Sequence, residues 1–294
     1  MQYIIRGKSF VFTTEIRDNT TLRKSFFSLA RQTFDLDFEP WYQCGGWQDR
    51  YLPHALVCGE QVAANVSVNR MDFQLDGRRR TYLQLGTVMT RPDCRRQGLA
   101  KRLMEEVLRD WADRCDGMFL FANETVLDFY PQFGFRREIQ YQYTLPVPTA
   151  RGGARKLSVD SPQDLALLRA CYKRGNPFSA LQVVENFGLL MFYCGSFLKD
   201  CVYYIPQQNA VAVARQEGPV LQCMDIFGGS DLEEILSQTA APGTERATLG
   251  FAPAGSSACC AEPISDDSDA LFVLAGKENP FSRRQLHFPD LFHT

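Results

Sequence analysis

One segment constrains the fold more than any other, because it joins a strand to a helix through a short loop and a glycine. The strand reads YLQLGTVMT, the loop RPDC and the helix RRQGLAKRLMEEVL. Apolar residues recur at helical spacing from about residue 98 to residue 114, which predicts an amphipathic helix. We expect inward side chains at Leu99, Leu103, Val107, Leu108 and Trp111 and outward ones at Lys101, Arg102, Glu105, Glu106 and Arg109.

The start of this helix is suited to hold phosphate. Its first backbone N–H groups have no acceptor within the helix, and the helix dipole adds positive potential, so a pyrophosphate can accept several hydrogen bonds there. Gly98 and Ala100 keep side chains out of the way, while Arg95, Arg96 and Lys101 add positive charge. The segment therefore predicts a site for a nucleotide-like polyanion, the alternative being a solvated basic face.

The rest of the first half predicts helices and strands around this unit. An amphipathic helix is expected over DNTTLRKSFFSLARQTF, and a short helix over ETVLDFYPQFGF. Strands are expected near residues 10–16, 55–58, 62–69 and 82–90, and over MFLFA. The alternating segment RREIQYQYTL is expected to close the unit as its last strand.

The chain of 294 residues is longer than one hydrophobic core usually spans, so two domains are expected, over residues 1–146 and 155–294. Two prolines and two glycines between residues 146 and 153 predict a linker. Strands near residues 201–205, 210–215 and 220–227 then lead to a glycine turn and the helix LEEILSQ. The layout repeats that of the first half, and internal duplication is a hypothesis.

Two motifs of the first half carry a family resemblance. Arg95, Gly98 and Ala100 fit the pattern Arg or Gln, two residues, Gly, one residue, Gly or Ala, and Asn123 precedes Tyr130 in a segment that ends FYPQFGF. Together they resemble the acetyl-CoA site of the GNAT superfamily of N-acetyltransferases, over about residues 10–145. The resemblance implies an α/β (α+β) GNAT fold, with a mixed, mostly antiparallel central sheet flanked by helices, followed by a second GNAT-like α/β domain. The tandem arrangement resembles the first two domains of acetyltransferases of the enhanced-intracellular-survival type.

By the same resemblance, acetyl-CoA is the co-substrate. Its pantetheine arm would extend the sheet as an added strand, along the backbone of Val88, Met89 and Thr90. The residues expected around the rest of the cofactor are Arg95, Arg96, Gln97, Gly98, Leu99, Ala100, Lys101 and Asn123.

The reaction implied is direct attack of a neutral primary amine on the acetyl thioester, through a tetrahedral intermediate. By the resemblance, Tyr130 would protonate the departing sulfur or donate a hydrogen bond to the thiolate as charge develops on it, the alternative being a core aromatic ring. Many family members carry a glutamate on the strand that here reads Leu83, Gln84 and Leu85, so the base stays open. The candidates are Asp35, Asp37, Glu39, Asp72 and His54. In the enhanced-intracellular-survival group the terminal carboxylate is the base, which suggests that Thr294 or His293 approaches Tyr130.

The acceptor is expected to meet an acidic and aromatic segment that follows the first helix. Asp37, Glu39 and Trp41 could receive the amine of a small cationic molecule or a peptide, unless the aromatic residues only pack this segment onto the core. In the second half the corresponding turn, FGGSDLEE, is acidic and would repel a pyrophosphate, so that half is expected to cover the substrate cleft or to support a homodimer.

Composition limits the other classes of function. A net charge of −2 without long charged runs argues against nucleic acid and membrane as partners. The three histidines are far apart, and ten cysteines form no CxxC pair, so no metal site and mostly reduced thiols in a cytoplasmic protein are expected. The alternative to an enzyme is a non-catalytic regulatory protein that senses acyl-CoA.

Overall fold

The computed structural model describes residues 1–147, 149–255 and 258–293. The first half begins with a β-hairpin and a long helix, and three longer strands follow. A second long helix and two short strands complete it. Its strands are β1 Gln2–Ile5, β2 Lys8–Thr13, β3 Tyr51–Cys58, β4 Gln61–Leu75, β5 Arg78–Thr90, β6 Gly117–Ala122 and β7 Phe135–Arg137. Its helices are α1 Thr20–Phe34, α2 Glu39–Gln43 and α3 Leu99–Trp111.

The second half has shorter elements in a similar alternation. Its strands are β8 Tyr141–Pro146, β9 Arg155–Lys156, β10 Leu181–Val184, β11 Val202–Ile205, β12 Ala210–Glu217, β13 Val220–Phe227, β14 Arg246–Leu249, β15 Cys260–Pro263 and β16 Ala270–Leu274. Its helices are α4 Pro162–Tyr172, α5 Phe187–Cys194 and α6 Leu232–Thr239. In the described part of the chain, no helix combines the length and the apolar character needed to cross a membrane.

The strands form two mostly antiparallel sheets. In the first, the order is β1-β2-β3-β4-β5-β6-β16-β7, with β10 paired to the end of β4; in the second it is β15-β8-β14-β13-β12-β11-β9. Each sheet contains one parallel pair, β5 with β6 and β13 with β14, and in each case a helix joins the two strands. This mixed α/β architecture confirms the expected fold class of two GNAT-like units.

Two strands cross the expected boundary between the domains, and this corrects one expectation. The segment RREIQYQYTL does not close the first unit as a single strand: β7 stays in the first sheet, whereas β8 joins the second sheet beside β14. In return, β16 from the end of the chain lies between β6 and β7. The division into residues 1–146 and 155–294 remains a prediction, and strand membership crosses it in both directions.

Helix α3 packs on one face of the first sheet through Leu99, Leu103, Met104 and Val107. Glu106, expected to face solvent, is buried. The β1–β2 hairpin covers this side of the helix, and the hydroxyl of Tyr3 donates a hydrogen bond of 2.5 Å to the Glu106 carboxylate. The opposite face of the sheet carries α1, whose buried residues are Phe26, Phe27, Leu29 and Ala30, and it also packs against the second half.

Candidate active site

Strands β5 and β6 separate at one end of the first sheet and leave an opening between them. Their parallel pairing runs from Tyr82 with Gly117 to Leu85 with Leu120 and ends there. Beyond this point β6 pairs with β16, through Phe121 and Ala122, while β5 continues to Thr90. The β6-facing edge of residues 86–90 is therefore free of any strand that the structure describes.

Backbone geometry decides which groups face the opening. The N–H of Arg91 donates to the carbonyl of Ala63 on β4, and the groups of successive strand residues point to alternate sides. Thr90 and Val88 therefore direct their N–H and C=O groups toward the opening, whereas Met89 pairs with Asn65 on β4. Of the three residues expected along the pantetheine arm, Val88 and Thr90 have the matching orientation.

The loop between β5 and α3 exposes a row of unpaired amides. Arg96 and Gly98 adopt left-handed backbone conformations, with φ of 58° and 83°, and α3 has no side-chain cap. Among the residues that the structure describes, none accepts a hydrogen bond from the backbone N–H groups of residues 96–101, and the first helical bond joins the Arg102 N–H to the Gly98 carbonyl. These amides are grouped at the positive end of the helix dipole.

The charges around this loop have no ionic partner, although the Nε atom of Arg95 donates a hydrogen bond to the Thr90 carbonyl at 3.2 Å. Arg95, Arg96 and Lys101 are exposed, and none of them forms an ion pair with a described residue. Arg91, by contrast, is held by Asp93 at 2.6 Å. Gln97 donates to the Asp93 carbonyl at 3.0 Å, so its side chain braces the loop. The predicted phosphate residues thus form one cluster of amides and cations beside the opening.

Tyr130 lies on the α3 side of the first sheet. Its ring is 4% exposed and contacts Phe129, Phe135 and Phe272. Burial raises the pKa of Tyr130 to about 12. Its hydroxyl has no hydrogen-bond partner within the described residues, so its proton is available to a bound group.

Asn123 follows β6 directly and shapes the turn that leads to Tyr130. Its side-chain oxygen accepts hydrogen bonds from the backbone N–H of Thr125 at 3.0 Å and from the Thr125 hydroxyl. The residue is exposed. Its visible contacts are those of a cap, and contact with a cofactor remains a prediction.

The three residues predicted to bind the acceptor have different surroundings. Trp41 is buried, its ring stacks on Trp47, and its indole N–H donates to the Gly188 carbonyl at 2.6 Å. Asp37 pairs with Arg31 at 2.5 Å, and Glu39 accepts from Gln43 at 2.6 Å. Packing onto the core, the alternative weighed above, thus describes the Trp41 ring. Asp37 and Trp41 also line a cleft of about 330 Å³ between α2 and helices α4 and α5.

The bases proposed from the sequence are held in structural contacts. Burial alone would raise the pKa of Asp72, but hydrogen bonds from Arg79, Thr81 and Arg50 outweigh it and lower the pKa to about 2. Burial lowers the pKa of His54, whose ring nitrogens contact the Leu52 carbonyl and the Trp111 indole N–H. Both groups are thus poor candidates for a base at the opening. Asp35 ends α1 in a left-handed conformation and is exposed.

A buried polar network beside the opening was missed from the sequence. Thr87 has a φ of 46° and lies in a bulge of β5. The register of the β4–β5 pairing shifts there, between Asn65 and Ser67 on β4. Its hydroxyl shares a hydrogen bond with Tyr51, and its carbonyl accepts from the Asn65 amide at 3.0 Å. The Asn65 amide also donates to Ser67, while the Asn65 side-chain oxygen is buried without a partner. The sequence does contain a sign of this network, because polar and apolar residues alternate in the segment NVSVN.

The end of the described chain reaches the same opening from the other face. The His293 ring stacks on Phe121 with centroids 3.9 Å apart, and its backbone carbonyl accepts a hydrogen bond from Tyr193 at 2.6 Å. Phe121 and Tyr130 belong to clusters on opposite faces of the sheet, so the expected approach of His293 to Tyr130 is not observed. Thr294, the other residue expected there, lies outside the described residues.

The geometry agrees with a comparison of the sequence with known families. Residues 23–137 match the family model of the acetyltransferase (GNAT) domain. The chain therefore contains a GNAT acetyltransferase domain, and by class it is an acyltransferase.

Solved structures resemble nearly the whole chain and confirm the expected tandem GNAT arrangement. A protein of unknown function from Enterococcus faecalis V583, a probable N-acyltransferase, is 13% identical with a TM-score of 0.61, over 90% of this chain and 71% of that chain. Eis1 from Mycobacterium abscessus is 16% identical with a TM-score of 0.56, over 90% and 73%. A GCN5-related N-acetyltransferase from Kribbella flavida is 14% identical with a TM-score of 0.52, over 90% and 71%. At these identities the likeness concerns the fold. No curated protein sequence matches the chain.

Proposed function

We propose that this chain is an acetyl-CoA-dependent N-acetyltransferase that acetylates a primary amine of a small cationic molecule or a peptide. One observation carries the proposal: unpaired amides at residues 96–101, and three cations that form no ion pair with a described residue, surround the start of α3 directly beside the opening between β5 and β6. Unpaired N–H groups and positive charge are the donors that a diphosphate requires. The residues present therefore fit coenzyme A.

The binding residues would act along one path. Arg95, Arg96 and the amides of Gly98 to Lys101 would hold the diphosphate, and Gln97 would keep the loop in place. The backbone groups of Val88 and the N–H of Thr90 would pair with the amide groups of the pantetheine arm, which could enter the opening as an added strand, while the Thr90 carbonyl holds the Arg95 side chain beside the arm. Met89 supports this edge from within the sheet rather than contacting the arm.

Bound acetyl-CoA would supply an acetyl thioester that a neutral amine attacks directly, with the thiol as leaving group. Tyr130 would donate a proton to the departing sulfur, because burial holds its pKa at about 12 and keeps the phenol protonated at neutral pH. The rings of Phe129, Phe135 and Phe272 orient the phenol and exclude water from it.

The amine would approach from the face that carries Tyr51 and Thr87. The cleft beside Asp37 and Trp41 would receive the acceptor: its apolar walls suit an apolar body, and the Asp37 carboxylate would meet the cationic amine, with the cations Arg169 and Lys199 elsewhere on the lining. Glu39 would help to position α2. We propose a cytoplasmic location, consistent with ten cysteines that are all free thiols in the described chain. A homodimer remains a proposal, and we propose no role for nucleic acid or membrane.

A glutamate at position 98 tests the cofactor site. In Gly98→Glu, the side chain would place negative charge and bulk among the unpaired amides, and calorimetry should show at least a tenfold loss of acetyl-CoA affinity. Gly243→Glu is the matched control, because Gly243 has a similar φ of 87° and equally open surroundings but lies in the second half. Equal affinity in the two variants would refute the site.

A second experiment distinguishes an enzyme from a sensor. The protein is mixed with acetyl-CoA and each amine of a panel, and the release of free thiol is measured. A protein that binds acetyl-CoA and releases no thiol with any amine would be a non-catalytic acyl-CoA sensor, the second candidate. That candidate is favoured by the absence of a carboxylate from residues 83–90 of β5.

A further inference from the structure

The His293 side chain stands at the point where β5 and β6 separate. Its stacking partner, Phe121, is the first β6 residue beyond the last β5–β6 pair, Leu85 with Leu120. Phe288 supports the ring at 5.2 Å, and the hydrogen bond from Tyr193 on α5 anchors its backbone. The ring is thus held next to the position where a thioester would enter the opening.

One nitrogen of this ring is engaged and the other is unpaired. The Nδ1 atom lies 3.1 Å from a carboxylate oxygen of Asp269, the residue before β16. A carboxylate accepts hydrogen bonds, so this contact favours the tautomer with its proton on Nδ1. The Nε2 atom is buried, and no described residue is its hydrogen-bond partner. A buried acceptor without a partner is unfavourable, which indicates a bound group that donates to it.

We propose that His293, oriented by Asp269, is the general base that accepts a proton from the acceptor amine at Nε2. The inference rests on the proposed function and adds the proton acceptor that the strand itself does not supply. His293 and Tyr130 lie on opposite faces of the first sheet, so the base meets the incoming amine while the acid meets the departing sulfur. The two roles need different sides of the same carbonyl carbon.

The protons balance over the reaction. A protonated primary amine gives up two protons when it becomes an amide: the N–C bond forms, and the C–S bond breaks with its electrons on sulfur. One proton passes to Nε2 of His293 and from there to solvent. The second proton leaves the nitrogen by the same route, while the hydroxyl of Tyr130 gives its own proton to sulfur and regains one from solvent, so that one proton is released in all.

Few titratable groups surround this histidine. Among the described residues, the segment before β16 presents Asp269 and α5 presents Tyr193. The segment that carries the histidine presents Asp290, which acts on Tyr193 electrostatically and lies 2.8 Å from Nε2 of His287. Strand β6 contributes only the apolar Phe121. The neighbouring Asp267 pairs with Arg137 and is engaged elsewhere.

His293→Phe tests the base while it retains an aromatic ring over Phe121. At pH 7 the rate of thiol release should fall about 100-fold or more, with acetyl-CoA affinity changed less than about twofold. The loss should shrink as pH rises toward the pKa of the acceptor, because the amine then arrives already neutral. A merely structural role would reduce the rate equally at every pH. Imidazole should partly restore His293→Ala, which leaves space for it, but not His293→Phe.

Nuclear magnetic resonance supplies a readout that is independent of turnover. With only three histidines in the chain, the His293 ring signal is assigned by substitution. In nitrogen-15 spectra, Asp269→Asn should shift the His293 ring from the Nδ1-protonated toward the Nε2-protonated tautomer, because the carboxylate that accepts from Nδ1 is lost. His293→Phe with the wild-type rate and pH profile would overturn the base and leave the proposed function intact. A wild-type chain that releases no thiol with any amine would refute the proposed function itself.

Discussion

Burial gives Tyr130 the protonation state that an acid needs. Its pKa of about 12 keeps the phenol protonated across the neutral and mildly alkaline range. Tyr130→Phe removes the hydroxyl and keeps the ring contacts, so the rate of thiol release should fall about 100-fold while the acetyl-CoA affinity stays within about twofold. Stopped-flow thiol detection and calorimetry measure the two quantities. An unchanged rate would leave Tyr130 as a core aromatic ring only.

Burial of a second titratable group, the Asp225 carboxyl, makes the stability of the fold depend on pH. Burial raises the pKa of this carboxyl to about 7, although Asn176 at 2.6 Å and the Ile226 N–H donate hydrogen bonds to it. Because the folded pKa lies above the unfolded value, the stabilisation is fully present below about pH 4 and is lost as pH rises through 7. The loss approaches about 4 kcal/mol.

Asp225→Asn should remove this pH dependence. The amide keeps an acceptor for Asn176 and carries no charge at any pH, so the variant should be more stable than the wild-type chain at pH 8 and nearly equal to it at pH 4. Denaturant melts at a series of pH values measure the difference. Parallel stability curves for the two proteins would contradict the buried charge.

At the scale of elements, the first sheet depends on a strand from the far end of the chain. Strand β16 separates β6 from β7, and its Phe272 is buried against Tyr130. Strand β8 makes the reciprocal contribution to the second sheet. The position of the proposed acid is therefore set by residues more than a hundred positions away.

Phe272→Ala should destabilise the chain by about 3–5 kcal/mol and should also reduce acetyl transfer, since both the core and the support of Tyr130 are lost. Phe197→Ala is the control, because that ring is half exposed, and its effect should stay within about 0.5 kcal/mol. Urea denaturation measures both. Similar effects of the two substitutions would mean that β16 is not part of the folded core.

At the scale of the molecule, the two halves share a layout but differ at the helix that follows the glycine turn. The start of α6 is capped: Asp231 accepts from the Glu234 N–H at 3.0 Å, and Gln208 accepts from the N–H groups of Ser230 and Asp231. Glu233 and Glu234 add negative charge in the first turn. Three amides at the start of α6 thus already have side-chain acceptors, whereas those of residues 96–101 at α3 have none among the described residues.

Calorimetry should therefore find one acetyl-CoA per chain, and Gly98→Glu should remove it without revealing a second site. Two equivalents of acetyl-CoA bound per wild-type chain, with one still bound in Gly98→Glu, would show that the second half also binds the coenzyme. The expected asymmetry follows from capping, because an amide that already donates to a side chain is not available to a phosphate.

Local pattern was sufficient to predict α3, β5 and the phosphate loop. The relevant residues are adjacent in the chain, and the free amides of a helix start follow from backbone geometry alone. Tyr130 could be named for the same reason, because its motif is short. The bases proposed from the sequence could not be judged locally, since the engagement of Asp72 and His54 depends on partners in other strands and helices.

By itself, the sequence determined the cluster of amides and cations at the start of α3 and the tandem layout, because both depend on spacing within a few dozen residues. Only the tertiary structure decided the exchange of β8 and β16, the bulge at Thr87 and the meeting of His293 with Asp269 and Phe121. Strand pairing and burial join residues that are distant in the chain. The periodicity of a segment does not determine which distant strand it will pair with. The chemistry of the opening arises from that pairing.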